Sequence, residues 1–212
     1  VGSAYTLMVF LISILLGLSM GSGTVFSLQY GAGRMKALRR SIYVSAVLIG
    51  TVTIVLNIAA LSFIHPILKL LQIPDDIYQM MYDYLWIIFW GIGFTFIYNF
   101  YAALLRAIGN AVTPLYFLAI SVVLNIGLDL FFILLLDWGI KGAAIATIIA
   151  QGVSALGIMG YTYAKCPELR LHRNDLHFDR HCLKEITSFS TLTCIQQSVM
   201  NLGILMVQGL VN

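Results

Sequence analysis

The chain has 212 residues, of which 60% are hydrophobic and only 10% charged, with a net charge of +3 and a mean hydropathy of +0.92. A soluble domain carries roughly a quarter charged residues, so this composition excludes a mostly water-facing surface and leaves lipid as the solvent. The charges that do occur are crowded into short windows between long apolar runs.

A bilayer core about 30 Å thick is crossed by about 20 apolar residues in a helix. Barrel strands alternate in hydrophobicity over about 10 residues and do not fit runs that are apolar on every side. The expected fold is all-α: a polytopic membrane helical bundle with five complete spans and a sixth running to the end of the chain. The first span, residues 5–28, is too long for a signal-peptide core and lacks a basic leader; Gly31 and Gly33 follow it. The second, residues 41–64, stops at His65-Pro66, and Pro74-Asp75-Asp76 marks a further break before the third, residues 84–105. Gly109-Asn110 and Pro114 separate the third from the fourth, residues 115–136, and a short turn at 137–141 leads into the fifth, residues 142–164. A stretch of mixed charge from Cys166-Pro167 onward precedes the sixth, residues 186–211.

Lys and Arg accumulate in short cytoplasmic loops, and here they are lopsided. Arg34, Lys36, Arg39, Arg40, Arg106, Lys165, Arg170, Arg173, Arg180 and Lys184 follow spans one, three and five, which is 10 of the 12 basic residues. The opposite loops hold Lys69 and Lys141 alone. Loops 31–40, 106–114 and 165–185 are therefore expected in the cytoplasm and Val1 on the outer side of the inner (plasma) membrane, with a further span expected before Val1. The basic run at 34–40 is a topology signal and an anionic-lipid contact, not a nucleic-acid patch.

Phosphate-loop chemistry is missing, because Gly31-Ala32-Gly33-Arg34 and Gly21-Ser22-Gly23 have neither a third glycine nor the Gly-Lys-Ser/Thr of such a loop. Cys166, Cys182, His172, His177 and His181 share one cytoplasmic loop, yet their spacings fit no paired zinc-ligand pattern. No cofactor and no disulfide is expected.

The informative residues are polar ones where lipid would penalise them. Asp129 is the charge set deep in a span, and intramembrane ionisable residues face the bundle interior and mark ion or proton pathways. Asp83, beside the expected start of span three, is explained by interface solvation and a helix N-terminus. Ser121, Asn125 and Asp129 recur every four residues and line one face of span four. Thr147, Gln151 and Ser154, at i, i+4 and i+7, line one face of span five. Counting rise from the intervening turn puts Asp129 level with Thr147 at roughly 9–12 Å, and Asn125 level with Gln151 at roughly 15–18 Å. A carboxylate among neutral oxygens suits a proton or a small hard cation rather than a soft metal. The bland alternative is that these side chains only join helices by hydrogen bonds.

Four stretches resemble, in order, the amino-terminal lobe of the multidrug and toxic compound extrusion (MATE) transporters. They are Gln29-Tyr30-Gly31-Ala32-Gly33; Leu105-Arg106-Ala107-Ile108-Gly109-Asn110 with Pro114; Leu124-Asn125-Ile126-Gly127-Leu128-Asp129; and Gly139-Ile140-Lys141-Gly142-Ala143-Ala144-Ile145-Ala146-Thr147 leading to Gln151. The resemblance implies family helices two to six in residues 1–165, an inter-lobe linker at 166–185, and the start of the second lobe at 186–212. It is closest to the DinF-like branch, for which it implies cation or proton coupling at Asn125, Asp129 and Thr147, with Gln151 and Ser121 as a possible second layer. In that family an Asp on the first helix completes the site. The implied activity is export of small organic, often cationic, drugs in exchange for H⁺ or Na⁺, with no metal other than a possible Na⁺. A monomer in contact with lipid and not with nucleic acid is expected.

Two other functions are weaker on these residues. A lipid-linked oligosaccharide flippase of the same superfamily would need a basic cavity for pyrophosphate, and no Arg or Lys lies inside any span. An intramembrane enzyme would need a nucleophile or paired carboxylates, and Asp129 has no acidic or His partner at its depth. Gly17 and Gly21 form a small-xxx-small pair for close helix approach. Trp90, Tyr98 and Tyr101 are candidates for lining a cavity for aromatic cations, while Trp86 and Tyr116 look interfacial.

Overall fold

The computed structural model describes residues 2–70, 75–171 and 178–211. Eight α-helices, and no strand, occur among the described residues: α1 Gly2–Gly31, α2 Met35–Ser62, α3 Ile64–Leu70, α4 Asp75–Trp90, α5 Ile92–Ala107, α6 Val112–Leu130, α7 Gly139–Lys165 and α8 Arg180–Val211. A π-helical turn, Phe131–Leu135, extends α6, and a 3₁₀ turn, Pro167–Leu169, follows α7. Five stretches are long and apolar enough to cross a membrane, namely Ile12–Gly31, Met35–Ser62, Ile77–Ala107, Val112–Leu135 and Gly139–Lys165. The all-α membrane class read from composition is the class observed. α8 has 32 residues, about 48 Å at 1.5 Å each.

Two glycines end helices by the same device. At the end of α1, Gly33 takes φ +68° and the Arg34 N–H donates to the Gln29 carbonyl at 2.9 Å. At the end of α5, Gly109 takes φ +88° and the Asn110 N–H donates to the Leu105 carbonyl at 2.9 Å. Both are left-handed caps closed by a six-to-one hydrogen bond, which a residue without Cβ makes at least cost. Asn110 then starts α6, its Oδ1 accepting the Thr113 N–H at 3.1 Å, with Pro114 in the first turn where a missing N–H costs nothing.

The helix preceding the third span begins about nine residues earlier than the apolar run suggests. It starts at Asp75. Asp83 thus lies in the interior of α4 and not at a helix start. Its carboxylate pairs with Lys141 Nζ at 2.7 Å and accepts from Gln79 Nε2 at 3.2 Å, so it ties α4 to the first turn of α7. α8 also begins earlier than expected, at Arg180, so the end of the 166–185 linker is helical.

α1 is packed by α2, α5 and α8; α5 joins α1 to α7; α7 carries α4 on one side and α6 on the other. The core holds Leu15, Phe26, Leu38, Ile49, Phe89, Leu104, Leu105 and Ile158, all but sealed. α1 and α8 approach with almost nothing between their backbones, for a Cβ at Gly17 would stand 2.7 Å from the Cys194 Cα and one at Gly21 2.4 Å from the Ser190 Cα. The same seam carries hydrogen bonds from Ser190 Oγ to the Leu18 carbonyl at 3.3 Å and from Asn201 Nδ2 to Ser13 Oγ. α6 lies at the margin, with Leu115, Val122, Val123, Ile126 and Leu130 all pointing outward.

Candidate functional site

α7 supplies a polar stripe with a different partner at each turn. Thr147 Oγ1 donates back to the Ala143 carbonyl at 2.9 Å and accepts from Asn125 Nδ2 on α6 at 3.3 Å. One turn on, Gln151 Oε1 stands 3.5 Å from Thr95 Oγ1 on α5 and shares that hydroxyl's one proton with the Gly91 carbonyl at 3.3 Å. Ser154 Oγ, buried, donates to the Phe117 carbonyl of α6 at 2.9 Å. Thr147, Gln151 and Thr95 share a cavity of about 160 Å³ with Tyr84, Ile88 and Ile92.

Asp129 follows Asn125 by one turn on α6 and is half-buried; its Oδ1 is sealed and has no hydrogen-bond partner. The Thr147 proton is committed to the Ala143 carbonyl and one of the two Asn125 amide protons to Thr147, while Asp129 Oδ1 has no donor. A buried acceptor without a donor costs free energy. Ser121, one turn before Asn125, is half-buried and bonds to none of these groups.

The register differs from the depth count, since Thr147 meets Asn125 and Gln151 turns to α5. Two local features account for it. α7 starts at Gly139, and the Phe131–Leu135 π turn packs extra residues into the last stretch of α6, closing with a bond from the Leu136 N–H to the Phe131 carbonyl at 3.3 Å. Asp137, at φ +53°, and Gly139, at φ +52°, then reverse the chain.

Thr95 was not singled out in the sequence, although Thr95 and Asn99 stand four apart in an apolar helix and are joined by an Asn99 Nδ2 to Thr95 carbonyl bond of 2.8 Å. Asn57 is similar, donating from α2 to the Phe89 carbonyl at 2.6 Å. Trp86, Trp90 and Tyr116 point outward. Tyr98 donates to the Pro114 carbonyl at 2.9 Å, and Tyr101 lines a separate cavity at the basic end. No metal-ligand cluster occurs among the described residues; His172 and His177 lie outside them.

The MatE family model matches residues 1–131. The chain is 37% identical over 151 residues to the probable multidrug resistance protein YpnP of Bacillus subtilis (strain 168), covering 71% of this chain and 34% of that protein. It is 30% identical over 199 residues to the probable multidrug resistance protein NorM of Thermotoga maritima, covering 91% of this chain and 42% of that protein. The chain thus spans between a third and a half of the length of these relatives. Among solved structures, a MATE in complex with MaL6 superposes with a TM-score of 0.90 at 21% identity, over 99% of this chain and 47% of that one. A multidrug resistance MATE family transporter of the MOP superfamily in its inward-facing conformation gives 0.84 at 22% identity, over 90% of this chain and 44% of that one. A family match over more than half of the chain, on a bundle with five membrane-length helices, identifies a multi-pass plasma-membrane protein that belongs to the MatE family.

Proposed function

We propose that this chain forms the amino-terminal half of a secondary antiporter that exports small organic, often cationic, molecules in exchange for H⁺ or Na⁺. Residues 1–165 make up the first lobe, residues 166–185 the link between lobes, and residues 186–212 the start of the second. The basic loops face the cytoplasm. The coupling group is Asp129, with Asn125 and Thr147 beside it and Gln151 and Ser121 in a second layer. The names of YpnP and NorM support the substrate class.

The observation that carries this reading is the sealed, unpartnered Oδ1 of Asp129 next to the Asn125–Thr147 pair. A carboxylate that only joined helices would have a donor. One proton or one Na⁺ satisfies it, and both cannot occupy the same oxygen, so the two compete. Loading favours one access state and substrate the other.

The test is efflux from proteoliposomes of the full-length protein under imposed Na⁺ or proton gradients. Asp129→Asn is expected to keep expression and melting temperature while abolishing ion-driven efflux, and Gln151→Ala to have a smaller effect. Transport by Asp129→Asn at the wild-type rate under both gradients would sink the assignment and leave the polar layer as helix glue.

A further inference from the structure

We propose that a second site, at the basic end of the bundle between α2, α5 and α7, holds one anionic phospholipid, with its phosphate on Arg170 and part of an acyl chain in an apolar cleft. The cleft has a volume of about 260 Å³ and is walled by Ile42, Leu104, Leu169 and Tyr101, with Tyr163 and Arg170 at its mouth. It is unrelated to the Asp129 region: Thr162, which lines it, stands 15 residues beyond Thr147 on α7, about 22 Å at 1.5 Å per residue.

Arg170 is held in place before any ligand arrives. Its Nε donates to the Tyr163 carbonyl at 2.9 Å, and its guanidinium carbon stands 5.2 Å from the centroid of the Tyr163 ring. That fixes the planar fork while its terminal nitrogens meet no acceptor among the described residues, and such a fork suits two oxygens of a phosphate. Neighbouring cations are used differently, Arg40 pairing with Asp179 at 3.1 Å and Arg39 donating to the Glu168 carbonyl at 3.3 Å. Lys165 and Arg39 add positive charge at this end of the bundle, against the single carboxylate of Glu168 between Lys165 and Arg170.

A free phosphate would satisfy Arg170 but leave the walls of the cleft wet. A phospholipid covers both, since each methylene taken into the cleft adds to affinity, and basic pockets between membrane helices bind anionic headgroups in this way. The cleft is below the roughly 300–1,000 Å³ of drug-sized sites, which favours a slender chain over a bulky ring system. Tyr163, 62% exposed, provides the amphipathic ring common at the headgroup level.

The full-length protein, delipidated in detergent, is titrated with phosphatidylglycerol, with phosphatidylcholine of identical acyl chains, and with inorganic phosphate, and bound lipid is counted by native mass spectrometry. One phosphatidylglycerol is expected to bind about tenfold more tightly than phosphatidylcholine, with phosphate unable to displace it. Arg170→Gln is expected to remove that tenfold preference, while Arg180→Gln, outside the cleft, leaves it intact. Melting in phosphatidylcholine checks that Arg170→Gln folds. If it does not, Leu171→Asp, at an exposed residue that also lines the cleft, sets a carboxylate against the phosphate and must give the same selective loss. Equal binding of the two lipids, a preference that survives these substitutions, or displacement by inorganic phosphate would each overturn the site.

Discussion

Gly21→Ala is expected to force α1 away from α8. The added Cβ would lie 2.4 Å from the Ser190 Cα and 2.6 Å from its N, whereas ordinary contact begins at 3.4 Å, so the gap must widen by about 1.0 Å. Both obstructing atoms are backbone, so no side-chain rotation relieves the clash, and the hydrogen bonds of Ser190 Oγ to Leu18 and of Cys194 Sγ to Ile14 lengthen with it. Overpacking of this kind costs about 1–3 kcal/mol. A loss of about 2 kcal/mol lowers the melting midpoint by roughly 4–8 °C in a unit of 150–250 residues, and by less in a longer protein. The measurement is thermal unfolding of the purified full-length protein in detergent. Gly127→Ala is the control, because nothing lies within 4 Å of its Cβ position. A melting midpoint for Gly21→Ala equal to that of Gly127→Ala would refute the close α1–α8 seam.

The remaining predictions concern charge. Asp179 begins α8: the His181 N–H holds its carboxyl below the ordinary value of 3.8, and Arg40 adds to the effect. A depressed folded-state value means that this cap stabilises the helix end above pH of about 3.8 and is lost as pH falls through the lower folded value. Asp179→Asn should therefore raise amide exchange in the first turn of α8 at neutral pH, and the difference from wild type should vanish in acid; a difference that persists there contradicts the linkage. For orientation, single cysteines replacing Lys36 and Asp76 are treated in intact cells with an impermeant thiol reagent. Asp76→Cys is expected to react and Lys36→Cys to be protected, and the reverse pattern would invert the bundle.

Much of this fold was readable because lipid demands long apolar helices and because the stops are chemical. Gly33 and Gly109 sit where the chain needs a left-handed residue, and the sequence displays both. The start of α4 was misread because Pro74-Asp75-Asp76 serves equally as a break and as a helix N-terminus, and hydropathy alone favours the first. The Asp83–Lys141 pair joins positions 58 residues apart, and no local pattern announces such a partner. The polar stripes of α6 and α7 were visible at helical spacing, three or four residues apart. Their register was not, because Phe131-Phe132-Ile133-Leu134-Leu135 looks like any other apolar turn while forming a π-helix. One added residue per turn there shifts which oxygens meet. Thr95 was hidden for a different reason: a hydroxyl in an apolar helix commonly bonds its own backbone, as Thr95 also does to the Gly91 carbonyl at 3.3 Å.

On the coupling role proposed for Asp129, the hydrogen bonds of α6 set a scale for what an ion must supply. Its outward face buries little, and its ties to the rest of the bundle include the Asn125–Thr147, Ser154–Phe117 and Tyr98–Pro114 hydrogen bonds. Hydrogen bonds between membrane helices contribute on average about 0.6 kcal/mol each, so three are worth roughly 2 kcal/mol. An ion bound tenfold better in one position of α6 than in another supplies about 1.4 kcal/mol, which is of the same size. α7, by contrast, is packed by α4, α5 and α6 and has Ala144, Ala146, Ala150 and Ala155 fully buried. α6 packs chiefly on α7, so on the coupling role proposed for Asp129 the α6–α7 seam is where an ion would act. The Asn125–Thr147 bond is the contact on that seam whose geometry would report it, because it alone among the three lies one turn from Asp129.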